Sequence, residues 1–172
     1  SLIVQQSYKI WRTHLNSFGV GEWMNNDFVS GEKGMLPEYK YYSEYYGRKS
    51  WNSSTIISMA IGQGELLLTP IQMANITAII ANRGYYYTPH IIKSIEGKKN
   101  IDSTYIRKKF SSVRPENFEI IINGMENAIK STDGTAHNIF SDSISMCGKT
   151  GTAENPHGED HSIFIAFAPK NK

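Results

Sequence analysis

Apolar residues recur along the chain with either a helical or a strand-like spacing, and the predicted elements follow from that spacing. The first fifteen residues have a rough apolar stripe and predict a helix. The stripe consists of Leu2, Ile3, Gln6, Ile10 and Trp11. Residues 16–55 are rich in glycine and aromatic residues but have neither period, so we expect a long ordered loop packed over other structure.

Two later segments carry the clearest helix signals. In "LLLTPIQMANITAIIANRG", Thr69 is placed to cap a helix, Pro70 suits its first position, and Gly84 is expected to end it in a left-handed conformation. Its apolar residues run nearly all round, which predicts a central place in the core. The segment "RPENFEIIINGMENAIKSTDG" predicts an amphipathic helix of about four turns between Pro115 and Gly134. Its buried face is expected to consist of Phe118, Ile121, Ile122, Met125, Ala128 and Ile129.

The remaining segments favour extended structure and exposed surface. "YYYTPHIIKSIE" is rich in aromatic and β-branched residues and predicts extended chain, with Pro89 favouring an edge or a bend. "GKKNIDSTYIRKKFSS" is polar and basic, and we expect it on the solvated surface. "DSISMCGKTGTAENPHGEDHSIFIAFAP" predicts a strand, a glycine loop and a second strand. Helices followed by a hairpin indicate an α+β domain.

Composition and charge narrow the function classes. With 172 residues, 40% hydrophobic and 20% charged, the chain has the size of about one globular domain. A formal net charge of +2 does not indicate a nucleic-acid-binding protein. No apolar run approaches the roughly 18 to 20 residues that span a bilayer. The single cysteine, Cys147, excludes an internal disulfide and a multi-cysteine metal site, and we expect it to be a small packed side chain.

Both ends of the sequence are unusual for a whole domain. The chain begins inside the first predicted helix without a methionine or a capping box, and it ends three residues after a strongly apolar strand. We therefore expect residues 1–172 to be part of a larger domain, truncated at both ends.

The cluster "GKTGT" between Gly148 and Thr152 suggests three kinds of structure. A phosphate-binding loop requires a glycine five residues before Gly148, where Ser143 stands, and must open a helix, which "GTAENPHG" does not. A serine acyl-transfer pocket requires a cation, hydroxyls for a substrate carboxylate, and a strand edge open to the substrate backbone. Lys149, Thr150 and Thr152 meet that requirement, and Gly151 removes a side chain where substrate must approach. A surface lysine before a hairpin loop is the more common explanation of such a triplet taken on its own.

The surrounding segments decide between these alternatives. "CGKTGTAE", "DHSIFIAFAP", "DGTAHNIF" and "AIGQGELLLTPIQMANITAIIANRGYYYTPHII" together resemble the transpeptidase domain of class B penicillin-binding proteins. Three segments are more similar to the elongation type, penicillin-binding protein 2, than to the division type: "IGQG", "TPIQMA" and "SGEKGMLP". The matches fall in order across residues 16–169.

The resemblance implies a fold, an activity and a setting. The fold is that of penicillin-binding proteins and serine β-lactamases, an antiparallel sheet with packed helices. The activity is D,D-transpeptidation, which cross-links peptidoglycan stem peptides through a serine acyl-enzyme that β-lactams also form, with no cofactor and no metal. The parent protein is expected to be anchored in the bacterial cytoplasmic membrane, with this domain on the outer side and an elongation-complex glycosyltransferase as partner.

The resemblance also implies roles for the three residues of the third family motif, K-T-G, and for Thr152 directly after it. Lys149 is expected to organise the hydrogen bonds of the active site. Thr150 and Thr152 are expected to hold the carboxylate of substrate or drug, and the backbone amide of Thr152 to complete the oxyanion hole. Gly151 lies between them on the substrate-binding strand.

The chain also contains matches to the other two family motifs, but not in the sequence context that the family has. Ser30 to Lys33 spells S-x-x-K and Ser50 to Asn52 spells S-x-N, but one match of each is what chance supplies in this composition. Ser30 lies in a turn-rich stretch, and in the family "GEKGMLP" follows both true motifs. We therefore expect no nucleophile in this chain, and neither peptide transfer nor a penicilloyl adduct from the chain alone.

Several further expectations remain open at this point. An unpaired edge at residues 162–168 predicts self-association of the isolated chain. His157 and His161, with Glu159 or Asp160, are expected to face solvent rather than bind a metal. The aromatic run at residues 39–46 is expected to pack the long loop rather than line a peptide groove. A β-lactamase or penicillin-sensing receptor, and a non-catalytic relative, remain alternatives to the transpeptidase.

Overall fold

The computed structural model describes residues 2–47, 53–97, 102–155 and 157–171. Six helices and four strands are seen in these ranges: α1 (Leu2–Ser17), α2 (Tyr39–Tyr45), α3 (Ser53–Ala60), α4 (Pro70–Ala81), β1 (Tyr85–Tyr86), α5 (Ser103–Ile106), β2 (Lys109–Phe110), α6 (Pro115–Lys130), β3 (Cys147–Ala153) and β4 (His161–Phe167). A 3-10 turn, His137–Ile139, precedes β3. Both strand pairs are antiparallel, which confirms the α+β class.

The chain forms two compact units. The first consists of residues 1–72 and 88–107, and the second of residues 73–87 and 108–172. No helix in the described ranges is both long and apolar enough to cross a membrane.

The first unit is built around an aromatic cluster. Tyr8 of α1, Tyr42 of α2 and Met59 of α3 are almost fully buried against one another, and the Tyr8 and Tyr42 rings meet edge to face at 6.0 Å. The hydroxyl of Tyr42 donates to a carboxylate oxygen of Glu65 at 3.1 Å. The expectation of a continuous loop over residues 16–55 is therefore wrong, since α2 and the start of α3 lie within it. The predicted packing role of the aromatic run is confirmed at Tyr42.

Gln72 connects the loop of the first unit to the start of α4. Thr69 and Gln72 form a reciprocal cap: the Thr69 amide donates to Gln72 Oε1 at 2.9 Å, and the Gln72 amide donates to Thr69 Oγ1 at 3.3 Å. Gln72 Nε2 also donates to the carbonyl oxygens of Gly19 at 3.0 Å and Lys33 at 2.9 Å. Gln72 is 1% exposed, so water would not readily reach the groups that it binds if its side-chain amide were removed.

The end of α4 differs from the prediction in one residue. The amide of Arg83 donates to the Ile80 carbonyl, and the amide of Gly84 donates to the Ile79 carbonyl, which is the Schellman pattern. Arg83, not Gly84, therefore takes the left-handed position directly after the helix, with φ of 57°. Gly84 follows at φ of 112°, where a Cβ would lie 3.0 Å from the Phe118 ring. The buried residues of α4 include Gln72, Asn75 and Thr77 beside Ile79, so its core face is more polar than its sequence predicts.

Helix α6 is amphipathic, as predicted, but its buried stripe is narrower. Phe118, Ile122, Met125 and Ile129 are buried, at spacings of four, three and four residues. Ile121 was expected in this face and is 50% exposed, because it lies on the flank of the stripe. Ala128 is half-buried.

In its described residues, 97 and 102–112, the polar and basic segment is mostly exposed, as expected, but it contains two elements that its pattern does not predict. Asp102 caps the short helix α5 by accepting from the Thr104 amide at 2.8 Å. Lys109 and Phe110 form β2, which pairs with Tyr86 and Tyr85 of β1. The predicted extended segment is thus paired over only two residues.

The predicted hairpin is confirmed and is fastened at its C-terminal end. After β4, Lys170 Nζ donates to Glu126 Oε2 at 2.7 Å and to Asn123 Oδ1 at 2.8 Å, both on α6. Cys147 at the start of β3 is fully buried, as expected of a packed thiol, and burial raises its pKa.

We expect Gln72→Leu to lower the free energy of unfolding by about 2 to 4 kcal/mol, since it leaves buried carbonyl and amide groups without partners. Denaturant titration measures the change. Gln63→Leu, at a half-buried position in the same unit, is the control and should stay within about 0.5 kcal/mol of the wild type. Equal effects of the two substitutions would contradict this role of Gln72.

The Glu126 and Lys170 pair predicts an acid-sensitive contribution to stability. The hydrogen bond from Lys170 lowers the pKa of Glu126. The stabilisation is therefore fully present above the unfolded pKa of about 4.3 and is lost as the pH falls through the lower folded pKa. Glu126→Gln should flatten the loss of stability between about pH 5 and pH 3. Glu116 pairs with Arg114 at the exposed surface, so Glu116→Gln should leave the dependence of stability on pH as it is in the wild type.

Candidate functional site

Strand alternation in the hairpin separates the residues of the "GKTGT" cluster onto two faces. Thr150 pairs with Phe164 and Thr152 pairs with Ser162, so these four side chains share one face. Lys149 and Gly151 belong to the opposite face, as the spacing predicts. Lys149, Gly151 and Thr152 are exposed and Thr150 is half-buried.

A cavity of about 390 Å³ lies on the threonine face of the hairpin. Its polar lining consists of Thr135, Asn138, Thr150, Thr152 and Ser162. The hydroxyl of Thr150 donates to that of Thr135 at 3.1 Å. Three of the predicted site residues, Thr150, Gly151 and Thr152, thus line one pocket with three polar residues that the sequence analysis did not assign.

The turn after α6 places Thr135 opposite β3. The Ala136 amide donates to the Ala128 carbonyl at 2.9 Å, so the chain turns back over the last turn of α6. A Cβ on Gly134 would lie 2.4 Å from that same carbonyl oxygen, and only glycine fits. The ring nitrogen Nδ1 of His137 lies 3.1 Å from the Ile129 carbonyl oxygen, which allows a further hydrogen bond.

A second close approach brings β3 against α6. A Cβ on Gly148 would lie 2.7 Å from the Phe164 ring and 3.0 Å from Ile129 Cδ1. The absence of a side chain at Gly148 therefore lets Phe164 fold over β3 beside the cavity. Thr135, which follows Gly134, and Phe164, which folds over Gly148, both line the cavity.

The ammonium group of Lys149 is available for an anion. Its Nζ donates to the carbonyl oxygen of Thr150 at 2.5 Å, a contact within the strand itself. Across the described ranges, no carboxylate is recorded within ion-pair distance of this group. Hydroxyl and ammonium groups both bind carboxylates. The cavity supplies the hydroxyls, and Lys149 supplies an ammonium group on the same strand.

The three polar cavity residues that the sequence analysis did not assign differ in the signals that could have identified them. Ser162 is the cross-strand partner of Thr152, so the hairpin register would have identified it once the loop length was known. Thr135 lies in "DGTAHNIF", which contributed only to the family resemblance. Asn138 has no signal beyond its place in the same segment.

The other candidate residues are not among the residues that line this cavity, or they fall outside the described ranges. Ser30 is exposed in an irregular segment and no helix follows it directly. Ser50 falls outside the described residues, so its assignment stays a prediction. His157 is exposed in the described part of the hairpin loop, where the Asn155 amide donates to Asp160 Oδ1 at 3.1 Å, and His161 is exposed at the first position of β4. No group of three or more metal-binding side chains is found in the described ranges.

Comparison with known proteins gives a consistent result. Residues 6–172 match the family described as penicillin binding protein transpeptidase domain. A peptidoglycan D,D-transpeptidase MrdA from Haemophilus influenzae is 28% identical over 173 residues, covering 90% of this chain and 26% of the relative. The chain therefore spans about a quarter of the length of that curated relative.

Solved structures agree with the sequence comparison. Penicillin-binding protein 2 of Pseudomonas aeruginosa, solved in complex with WCK 5153, superposes with a TM-score of 0.77 at 28% identity, over 96% of this chain and 39% of that one. A structure described as a peptidoglycan synthase complex that coordinates polymerization and crosslinking superposes with a TM-score of 0.72 at 28% identity, over 91% of this chain and 26% of that one.

Proposed function

Because the chain belongs to the penicillin-binding protein transpeptidase family, we propose that it is part of a serine D,D-transpeptidase that cross-links peptidoglycan stem peptides. Its expected similarity to penicillin-binding protein 2 is confirmed by the relatives and structures described above. The serine chemistry, the substrate and the partners are the proposed part.

The cavity on the hairpin is the observation that supports this proposal best. Thr150 and Thr152 open into it, and the hydroxyl of Thr135 lies within hydrogen-bond distance of the Thr150 hydroxyl, at 3.1 Å. A carboxylate placed there would accept hydrogen bonds from the hydroxyls of Thr150 and Thr152 once the Thr150 proton turns to it and Thr150 accepts from Thr135 instead, with Lys149 supplying positive charge from the same strand. Both a stem peptide ending in D-alanine and a β-lactam present such a carboxylate.

In the proposed reaction, a serine from outside this chain attacks the carbonyl carbon of the peptide bond nearest that carboxylate. The Thr152 amide stabilises the developing oxyanion, and Lys149 orders the hydrogen bonds around the serine. The C–N bond breaks, the departing amine takes the proton, and an ester remains on the serine. The amine of a second stem peptide then attacks the ester carbon and forms the cross-link, while the C–O bond to the serine breaks and the proton lost by the amine returns to the serine oxygen. A β-lactam forms the same ester by ring opening, with the amine still attached.

The setting of the parent protein is also proposed. Peptidoglycan is assembled outside the cytoplasmic membrane, so we expect the parent to be anchored there with this domain on the outer side. A glycosyltransferase of the elongation complex is the expected partner, because cross-linking requires newly polymerised strands. The relative solved as a synthase complex that coordinates polymerization and crosslinking supports this choice.

Loss of the two cavity hydroxyls should slow acylation of the complete protein. For Thr150→Val with Thr152→Val we expect the second-order rate constant for acylation by fluorescent penicillin to fall roughly tenfold to a hundredfold, because hydrogen bonds to a charged group are lost. Thr13→Val, at an exposed position on α1, is the control and should leave the rate unchanged. Unchanged acylation of the double variant would contradict the assignment. Ready hydrolysis of the adduct by the wild type would favour a β-lactamase.

Thr135 should act through Thr150 and therefore have a smaller effect. We expect Thr135→Val to lower the same rate constant by roughly threefold to tenfold, and Thr135→Ser to restore it, because serine keeps the hydroxyl. Equal rates for the valine and serine variants would show that Thr135 has only a packing role.

The chain of 172 residues on its own is expected to remain unlabelled by fluorescent penicillin, since we place the nucleophile outside it. Gel fluorescence measures this directly. A covalent label that disappears on Ser30→Ala would contradict the proposal.

A further inference from the structure

The chain between α6 and β3 contains one histidine that is placed beside the cavity without lining it. We call residues 135–139 the cavity turn, and all of them except His137 line the cavity on the threonine face of the hairpin. His137 is half-buried, and its Nδ1 lies 3.1 Å from the Ile129 carbonyl oxygen at the end of α6. Its ring also stacks on that of Phe140, at 12° and 5.7 Å between centres. Two contacts thus hold a side chain that is not part of the pocket lining.

The bond from His137 completes the hydrogen bonding at the end of α6. The last carbonyl groups of an α-helix have no partner within the helix. At the end of α6, the Ala136 amide donates to the Ala128 carbonyl, and His137 reaches the next carbonyl, that of Ile129. A carbonyl oxygen can only accept, so Nδ1 of His137 carries the proton in this bond. The Nδ1–H group is present in one neutral tautomer and in the charged ring alike, so the bond does not depend on the charge of the histidine.

Ile129 connects the cavity turn with β3. Its carbonyl oxygen is the group that His137 reaches, while its side chain is 2% exposed and packs at Gly148, where a Cβ would lie 3.0 Å from Ile129 Cδ1. Gly148 lies two positions before Thr150 on β3. One residue of α6 therefore contacts both sides of the cavity, the turn through its backbone and the strand through its side chain. Gly148 allows the close approach of the strand, and the bond from His137 holds the turn at the same point.

We propose that His137 is a positioning residue for ligand binding, which keeps the cavity turn at the distance from Thr150 and Thr152 that fits a ligand with a carboxylate. This inference rests on the proposed function, which supplies that ligand. His137 does not line the cavity, so it acts through the residues of the turn on either side of it. Its effect therefore falls on the first, noncovalent binding step and leaves the rate of the acylation step itself unchanged.

The test uses the complete protein and fluorescent penicillin, with acylation followed over a range of penicillin concentrations. This separates the dissociation constant of the noncovalent complex from the rate constant of acylation. An asparagine amide nitrogen falls near the place of Nδ1 and a glutamine amide nitrogen near that of Nε2, so His137→Asn keeps the bond and His137→Gln loses it. The matched control is His90→Gln, because His90 Nδ1 also lies near a backbone carbonyl oxygen, that of Thr88 at 2.8 Å, and His90 does not line the cavity. Thermal unfolding checks that the variants remain folded.

We expect His137→Gln to raise the dissociation constant roughly threefold to tenfold, with His137→Asn and His90→Gln within about twofold of the wild type and the acylation rate constant within about twofold in all three. An unchanged dissociation constant in His137→Gln, an equal rise in the asparagine variant or in the control, or a fall in the acylation rate constant alone would overturn the proposal. Failure of His137→Gln to fold would also overturn it, because the bond would then serve stability alone. Absence of label on the wild type would refute the proposed function, whereas a labelled wild type with an unchanged His137→Gln would refute only the role of His137.

Discussion

The register of β3 against β4 is the constraint on which the candidate site depends. Side chains alternate with a period of two along a strand, so a shift of one residue would move Thr150 and Thr152 to the face that Lys149 now occupies. Two glycines allow the close approaches that shape the cavity around this hairpin. Gly148 allows Phe164 to fold over β3, and Gly134 allows the chain to turn back so that Thr135 reaches Thr150.

The first unit depends on hydrogen bonds made by buried polar side chains. Its loop is joined to α4 by one buried amide, that of Gln72, which binds carbonyl groups from separate parts of the sequence. Its aromatic cluster includes tyrosines whose hydroxyls also need partners, and burial raises the pKa of Tyr8 to about 12. Polar groups thus contribute directly to the organisation of this unit, where a hydrophobic pattern alone gives little information.

The elements that sequence reasoning predicted correctly are those with a local signal. Helix α6 and the hairpin have clear periods, and α4 has a recognisable cap at Thr69. Helix α2 was missed because its stability comes from burying Tyr42 against residues distant in the chain, and its seven residues are too few to show a period. Arg83 was missed as the left-handed residue because glycine is the usual choice, and here an arginine takes the position one residue earlier. Of the candidate site, the strand motif could be predicted, whereas Thr135 depends on a turn that brings together residues fifteen positions apart.

The contacts at Gly134 and Gly148 are purely steric and involve no ionisable group. The position of the cavity walls is therefore set by atomic volume, while the attraction between Lys149 and an anion is screened by salt. For a protein proposed to work outside the cytoplasmic membrane, this separation has a practical value. Changes in the external medium can alter how strongly an anion is attracted without altering the shape of the pocket that receives it.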